Sequence, residues 1–402
     1  MVSDCTTSTD LFGNRVYVHG LTLFDFESTY FPNGAIFPGP GMAPCPTSLS
    51  PQNFAANGCS AAALFINAMD LNFSRKHMAN MGTFPTGLPY TGAIVCNYKG
   101  SDFYHTDPND PLSAVLISSA LNNAQLGLDP LPCVVLEYSV QFDANEQPLN
   151  GGKPFVRFLV FSSQSEQLMD AVDLDGRGPK AIPDSCSACH GTPFGTDGSQ
   201  SDGASFIPFD EGNFLFSTQM GLTRSDQETQ IKNLNLIVLN TSALQAQAVN
   251  GPSQSSTRIS HLIHGWYDTY NYDALTCTQT VATALDSPSQ QLYLPPALLQ
   301  NANCNGGGTE ANVYFDIWAP SCRSCHVSNG IGIKEPLNPG DLAGILHDPP
   351  IVDVCNPGQG THPPTGLVMP NSKIAFDRFW TGANLPRLLQ RYLGQTCNLL
   401  NP

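Results

Sequence analysis

Charge is scarce in this chain. Only 12% of its 402 residues are Asp, Glu, Lys or Arg, about half the share usual in soluble proteins. Positive charge is scarcer still, with 17 Lys and Arg against 33 Asp and Glu and a formal net charge of −16. So few basic residues exclude a phosphate-binding surface, and with it nucleic acid as a partner. A basic or neutral protein is the electrostatically easier partner. No run of about 20 apolar residues occurs, so no transmembrane segment is expected. The first 20 residues are polar and lack the apolar centre of a secretory signal. No period of 20 to 50 residues repeats along the chain. In place of charge stand 35 Gly, 33 Pro and many Ser, Thr and Asn, the composition of a loop-rich extracellular protein.

Cysteine, by contrast, is plentiful, with 13 in the chain. Four lie in two Cys-x-x-Cys-His motifs, Cys186-Ser187-Ala188-Cys189-His190 and Cys322-Arg323-Ser324-Cys325-His326. The other nine, Cys5, Cys45, Cys59, Cys96, Cys133, Cys277, Cys304, Cys355 and Cys397, are scattered rather than set at zinc-ligand spacing. In an exported protein such cysteines form disulfides. Nine is odd, so at most four bridges form within one chain and one thiol is left free or pairs between chains. Sequence does not fix the connectivity. Cys304, Cys355 and Cys397 surround the second motif and are candidates to bridge among themselves.

Residues 1–175 carry neither motif and read as strand-rich. Arg15 to Phe26 is a β-prone apolar run, and Val134 to Phe142 alternates before a turn-rich stretch and a second strand at Pro154 to Ser162, the pattern of a long-looped hairpin. Ala61 to Met69 and Leu112 to Leu121 read as short helices. The linker Asp173 to Pro183 opens with Asp-x-Asp-Gly but lacks the remaining ligands of a calcium loop, so it reads as turns. Thr223 to Leu239 reads as an amphipathic helix with a Thr or Ser cap and apolar residues at Ile231, Leu234 and Val238. Further helices are expected at Ser256 to Tyr267, Glu310 to Ala319 and Leu385 to Leu393. Two Asn-x-Ser sequons, at Asn72 and Asn240, would mark surface loops if used.

Two thiols three positions apart reach the two vinyl groups of one porphyrin, and the adjacent His then sits under the iron. About 0.01 chance matches to the pattern are expected at this composition, so two matches carry weight. A thioredoxin-like pair would follow a strand in a βαβ unit, and a zinc site would need a second pair nearby in sequence; neither context is present. The motifs therefore predict two covalently attached haems c, with Cys186, Cys189, Cys322 and Cys325 as attachment points and His190 and His326 as proximal ligands. Attachment of this kind takes place outside the bacterial cytoplasm, so the expected location is periplasmic or extracellular, and the chain is expected to be a processed or nearly processed form.

Residues 309–402 resemble class I cytochrome c. The likeness rests on a helix before the motif, Met369-Pro370 lying 43 residues beyond His326, and a closing helix. It implies Met369 as distal ligand, a thioether that favours ferrous iron, and a helix bearing Tyr314 and Phe315 crossing one that bears Leu388, Leu389 and Tyr392. For the first haem the distal ligand stays open among His77, His264 and Met220, with His77 leading, or an open site. The whole chain also resembles a group of uncharacterised exported bacterial proteins, through Gly178-Pro179-Lys180, Cys186 to Gly191, Phe206-Ile207-Pro208-Phe209-Asp210 and the second motif; that likeness implies no activity.

The fold expected is an α+β multidomain chain: a strand-rich, haem-free domain at 1–175, a first mainly helical haem domain at 176–300 and a cytochrome c-like second haem domain at 301–402. The function expected is extracytoplasmic electron transfer, with a redox protein or copies of the chain itself as partner, up to a homo-oligomer or filament. The alternative is a di-haem enzyme resembling bacterial cytochrome c peroxidases or rubber oxygenases, with an open first haem. A redox or ligand sensor with residues 1–175 as binding domain is a third class.

Overall fold

The computed structural model of the chain describes residues 7–9, 15–17, 22–31, 45–47, 50–68, 70–100, 111–140, 152–174, 178–182, 184–191, 204–248, 254–273, 278–282 and 314–328. The fold is α+β. Strands β3 (Cys59–Asn67), β4 (Ser74–Thr83), β5 (Pro89–Tyr98), β6 (Pro130–Ser139), β7 (Phe155–Phe161) and β8 (Leu168–Met169) run as an antiparallel meander. Two N-terminal strands, β1 (Thr7–Thr9) and β2 (Arg15–Tyr17), extend it beyond β8, and a late strand, β9 (Phe214–Leu215), pairs with β3, giving a sheet of nine strands among the described residues. Three residues of the Arg15 to Phe26 run form β2; its end instead enters helix α1 (Leu23–Tyr30), which Thr22 and Asp25 cap reciprocally.

The hairpin expected from alternation is the β6–β7 pair, in register from Cys133 opposite Phe161 to Ser139 opposite Phe155. After a short helix, α2 (Pro51–Asn57), the helix expected at 112–121 is α3 (Pro111–Gln125). The helix expected over Ala61 to Met69 is not formed. Cys59–Asn67 is instead β3, paired with β4 from Cys59 opposite Met81 to Ile66 opposite Ser74. Its run of Ala and Leu is buried on both faces, and a short apolar run of that kind has no period that separates strand from helix.

Helices cover both faces of the sheet. Leu23, Phe26 and Tyr30 of α1 pack on Met78, Ile94 and Val135, and Ile117 and Leu121 of α3 pack on Leu64, Ile66 and Tyr98. Gly92 is required here, since a β-carbon would meet the Tyr30 ring at 2.7 Å. Tyr30 thereby reaches Glu137, directly opposite Gly92, and its hydroxyl donates to the carboxylate. Arg157, the next residue in the same cross-strand row, donates to the other oxygen. Burial and the Glu137 charge hold the Tyr30 phenol well above its ordinary range.

The opposite face carries α5 (Arg224–Ala248) and α6 (Gln254–Tyr267). Thr223 caps α5 as expected, accepting from the Asp226 amide while Asp226 accepts from its own. Ile231, Leu234 and Val238 are buried, but so are Gln227, Gln230, Asn233 and Asn235. The two glutamines serve the outer edge of β3, while Asn233 accepts from the Cys45 amide and Asn235 binds Phe209. Gln227 accepts from the Leu64 amide at 2.6 Å and donates to the Leu64 carbonyl at 2.8 Å, and Gln230 accepts from Ala62. A strand edge that would otherwise stay unpaired is thus closed by side chains. One core unites this sheet face with later parts of the chain: Phe158, Leu234, Ile263, Trp266 and Val327 are buried together, with Cys186 packed against them.

Disulfides join Cys45 to Cys59 and Cys96 to Cys133. The second links register partners on β5 and β6. Of the two sequons, Asn72 is buried in the loop between β3 and β4, and Asn240 is buried within α5, where it donates to the Leu236 carbonyl. Asp173 accepts from the Gly178 amide, as a turn requires. Cys5, Cys277, Cys304, Cys355, Cys397, Met369 and the 385–393 helix lie outside the described residues. No helix among the described residues is long and apolar enough to cross a membrane.

Candidate functional site

The first motif lies on a short helix, α4 (Asp184–His190), which Gly191 ends at φ +109°, a conformation open to glycine. The second follows a π-helical turn (Tyr314–Trp318) and one helical turn, α7 (Ala319–Ser321), and lies on α8 (Arg323–His326). The helix expected ahead of the second motif is therefore present over 314–321.

The two motifs, 136 residues apart, meet. Cys325 Sγ approaches Cys189 Sγ to 2.8 Å, and the Ser328 hydroxyl donates to the Cys189 carbonyl. Cys186, Cys189, Cys322 and Cys325 are the cysteines among the described residues that lie outside the two disulfides. Burial pushes the Cys186 thiol up to about 11. The hydrogen bond from Cys325, together with burial, raises Cys189 well above the usual range. Cys186 and Cys189 are held as neutral thiols, unlike the depressed, thiolate-forming cysteines of dithiol oxidoreductases. Among the described residues no set of three or more His, Cys, Asp or Glu converges as a metal-ion cage.

His190 is oriented by the backbone. Its Nδ1 lies 2.8 Å from the Ser205 carbonyl oxygen, so Nδ1–H donates there and Nε2 keeps its lone pair. Its ring stands edge-on to Phe158 at 5.1 Å. Burial drives its pKa down to about 4, against the opposing pull of the Ser205 bond, so the ring is neutral near pH 7. This is the tautomer and charge state that a metal-ligating imidazole requires. His326 is buried beside Trp318, ring to ring at 5.3 Å.

One segment, 205–213, holds both motifs. Besides Ser205 on His190, Asp210 Oδ2 accepts from Arg323 Nε at 2.9 Å and Nη2 at 2.7 Å, both partners being buried. Asn213 Nδ2 reaches Asp210, the Ala319 carbonyl and the Ser324 hydroxyl. Arg323 also donates to the Tyr314 hydroxyl and lies over the Trp266 ring. Asn235 of α5 pins the segment by bonding both backbone groups of Phe209. Phe206 to Asp210 stands in the sequence as a motif without a role, Arg323 as one letter of the second motif, and nothing there singles out Ser205 or Asn213. An arginine inside Cys-Arg-Ser-Cys-His, in a chain so poor in charge, was the available signal.

The distal candidates are scattered. His77, on β4, is buried between Phe65, stacked at 5.0 Å, and Phe209, edge-on at 5.0 Å. Its Nε2 has no hydrogen-bond partner among the described residues, and burial holds it neutral. Phe158, against which His190 packs, lies three strands away across the sheet, about 14 Å at ordinary strand spacing. His264 Nδ1 is bonded to Asp268 at 3.0 Å. Met220 is 95% exposed. A neutral, oriented His190, the protonated thiols of Cys186 and Cys189, and a buried His77 nitrogen with no partner among the described residues are groups that covalent haem attachment and ligation would require. No family model matches the chain, and neither a curated protein nor a solved structure does.

Proposed function

We propose that the chain transfers electrons outside the cytoplasm through two covalently attached haems c. Cys186 and Cys189 hold the first and Cys322 and Cys325 the second. His190 and His326 are the proximal ligands, with Met369 distal at the second haem and His77 the candidate at the first. When bound, the haems supply reversible one-electron chemistry at iron.

The observation that carries this reading is the His190 hydrogen bond to Ser205, which leaves a neutral Nε2 as the ring's available donor. The residues around the motifs do the remaining work. Ser205 fixes the ring plane of His190, and Asp210 with Asn213 holds the second motif against the same core. Burial of both histidine environments keeps water out, which limits the reorganisation that accompanies charge transfer. The Cys45–Cys59 and Cys96–Cys133 disulfides favour an oxidising compartment. The net charge of −16 favours a basic or neutral redox partner over a second acidic surface.

The test is the absorption spectrum of the ferric and ferrous protein, with and without carbon monoxide. Electron transfer predicts two low-spin haems whose ferrous spectrum carbon monoxide leaves unchanged. A high-spin band, or a carbon monoxide adduct, would replace this reading with an open-site di-haem enzyme.

A further inference from the structure

We infer that Cys189 and Cys325 anchor their two haems at a shared edge, so that the motifs build one coupled di-haem centre rather than two separate redox modules. The inference rests on the haem reading above and adds the arrangement that the polypeptide imposes.

Four independent contacts enforce that arrangement. The second cysteine of each motif touches the other, at 2.8 Å between sulfurs. Ser328, two residues beyond His326, donates to the Cys189 backbone and ties the end of α8 to α4. Segment 205–213 binds the first motif through Ser205 and the second through Asp210 and Asn213. Val327 and Cys186 share one apolar core. Separating the two motifs would therefore break a buried ion pair and open that core, so the contact is built into the fold.

The chemical consequence follows from the position of the sulfurs. A thioether carbon bonded to each sulfur belongs to a substituent on the rim of its macrocycle. Two such sulfurs held side by side would bring the two points of attachment within a few bond lengths of each other. Relaxing the pair from 2.8 Å to an ordinary sulfur contact leaves that neighbourhood intact. Two strong chromophores so close mix their electronic transitions. Charge on one iron would also shift the other where protein rather than water lies between them. The pair would accept its first electron more readily than its second.

Circular dichroism in the Soret region of the intact holoprotein tests this. The expected result is a bisignate couplet, lost in Cys322→Ala/Cys325→Ala, which keeps the first haem and gives a single-signed band. Should that variant fail to fold, electron paramagnetic resonance of the wild-type protein serves instead. Coupling predicts ferric signals broadened by the neighbouring iron that sharpen when the pair is half reduced. Two attached haems whose dichroism is unsplit and whose ferric signals are independent of the partner's oxidation state would overturn the shared centre while leaving electron transfer standing. A chain that carries no covalent haem would overturn both, and a haem assay on the same sample identifies that case.

Discussion

Asp210 and Arg323, separated by 113 residues, form a buried ion pair in which one carboxylate oxygen accepts two guanidinium hydrogen bonds, at 2.9 and 2.7 Å. In a chain with so little charge, this pair stands between the two Cys-x-x-Cys-His motifs. Removing the carboxylate leaves the cation desolvated among Trp266 and Tyr314. Asp210→Ala should cost about 3–5 kcal/mol, read as a lowered denaturation midpoint, and should impair attachment at the second motif before the first. An unchanged midpoint would mean that the pair does not form.

Gln227→Leu should be nearly as damaging, though it lies far from either motif. It strips the Leu64 amide and carbonyl of their partners at once. Two unsatisfied buried backbone groups predict a loss of about 2–4 kcal/mol. Denaturant unfolding measures it, and amide exchange at β3 should rise in parallel.

The disulfide pattern is open to a non-reducing digest. Peptides joining Cys45 to Cys59 and Cys96 to Cys133 are expected. Replacing both Cys96 and Cys133 by Ala should lower stability by about 2–4 kcal/mol, since the bridge joins strands 37 residues apart. Shuffled bridges among these four cysteines would contradict the sheet register as well as the pairing.

His77 can be separated from its rivals by three substitutions. His77→Ala should change the spin state of one haem, because its buried Nε2 has no other described partner. His264→Ala and Met220→Ala should leave both spectra as they are, His264 being bonded to Asp268 and Met220 exposed. A spectral change in His264→Ala with none in His77→Ala would reassign the distal side.

Local pattern revealed the β6–β7 hairpin, α3, the Thr223 cap and the two motifs, because alternation, helical spacing, a hydroxyl before a helix and paired thiols are each written within a few residues. The strand at Cys59–Asn67 stayed hidden because burial on both faces erases the period that identifies a strand. The burial of Asn72 and Asn240 was equally illegible, because a triplet records nothing about burial. The site's supporting residues were illegible for a different reason. Ser205 acts through its backbone carbonyl, which any residue supplies. Asp210 meets Arg323, and Cys189 meets Cys325, across separations of more than a hundred residues.

The most direct measurement is haem stoichiometry on the purified chain, by pyridine haemochrome and by intact mass. The account predicts two covalent haems per chain, and one in Cys322→Ala/Cys325→Ala. A chain whose mass shows Cys186, Cys189, Cys322 and Cys325 unmodified, with no haemochrome band after expression alongside haem-attachment machinery, would contradict it.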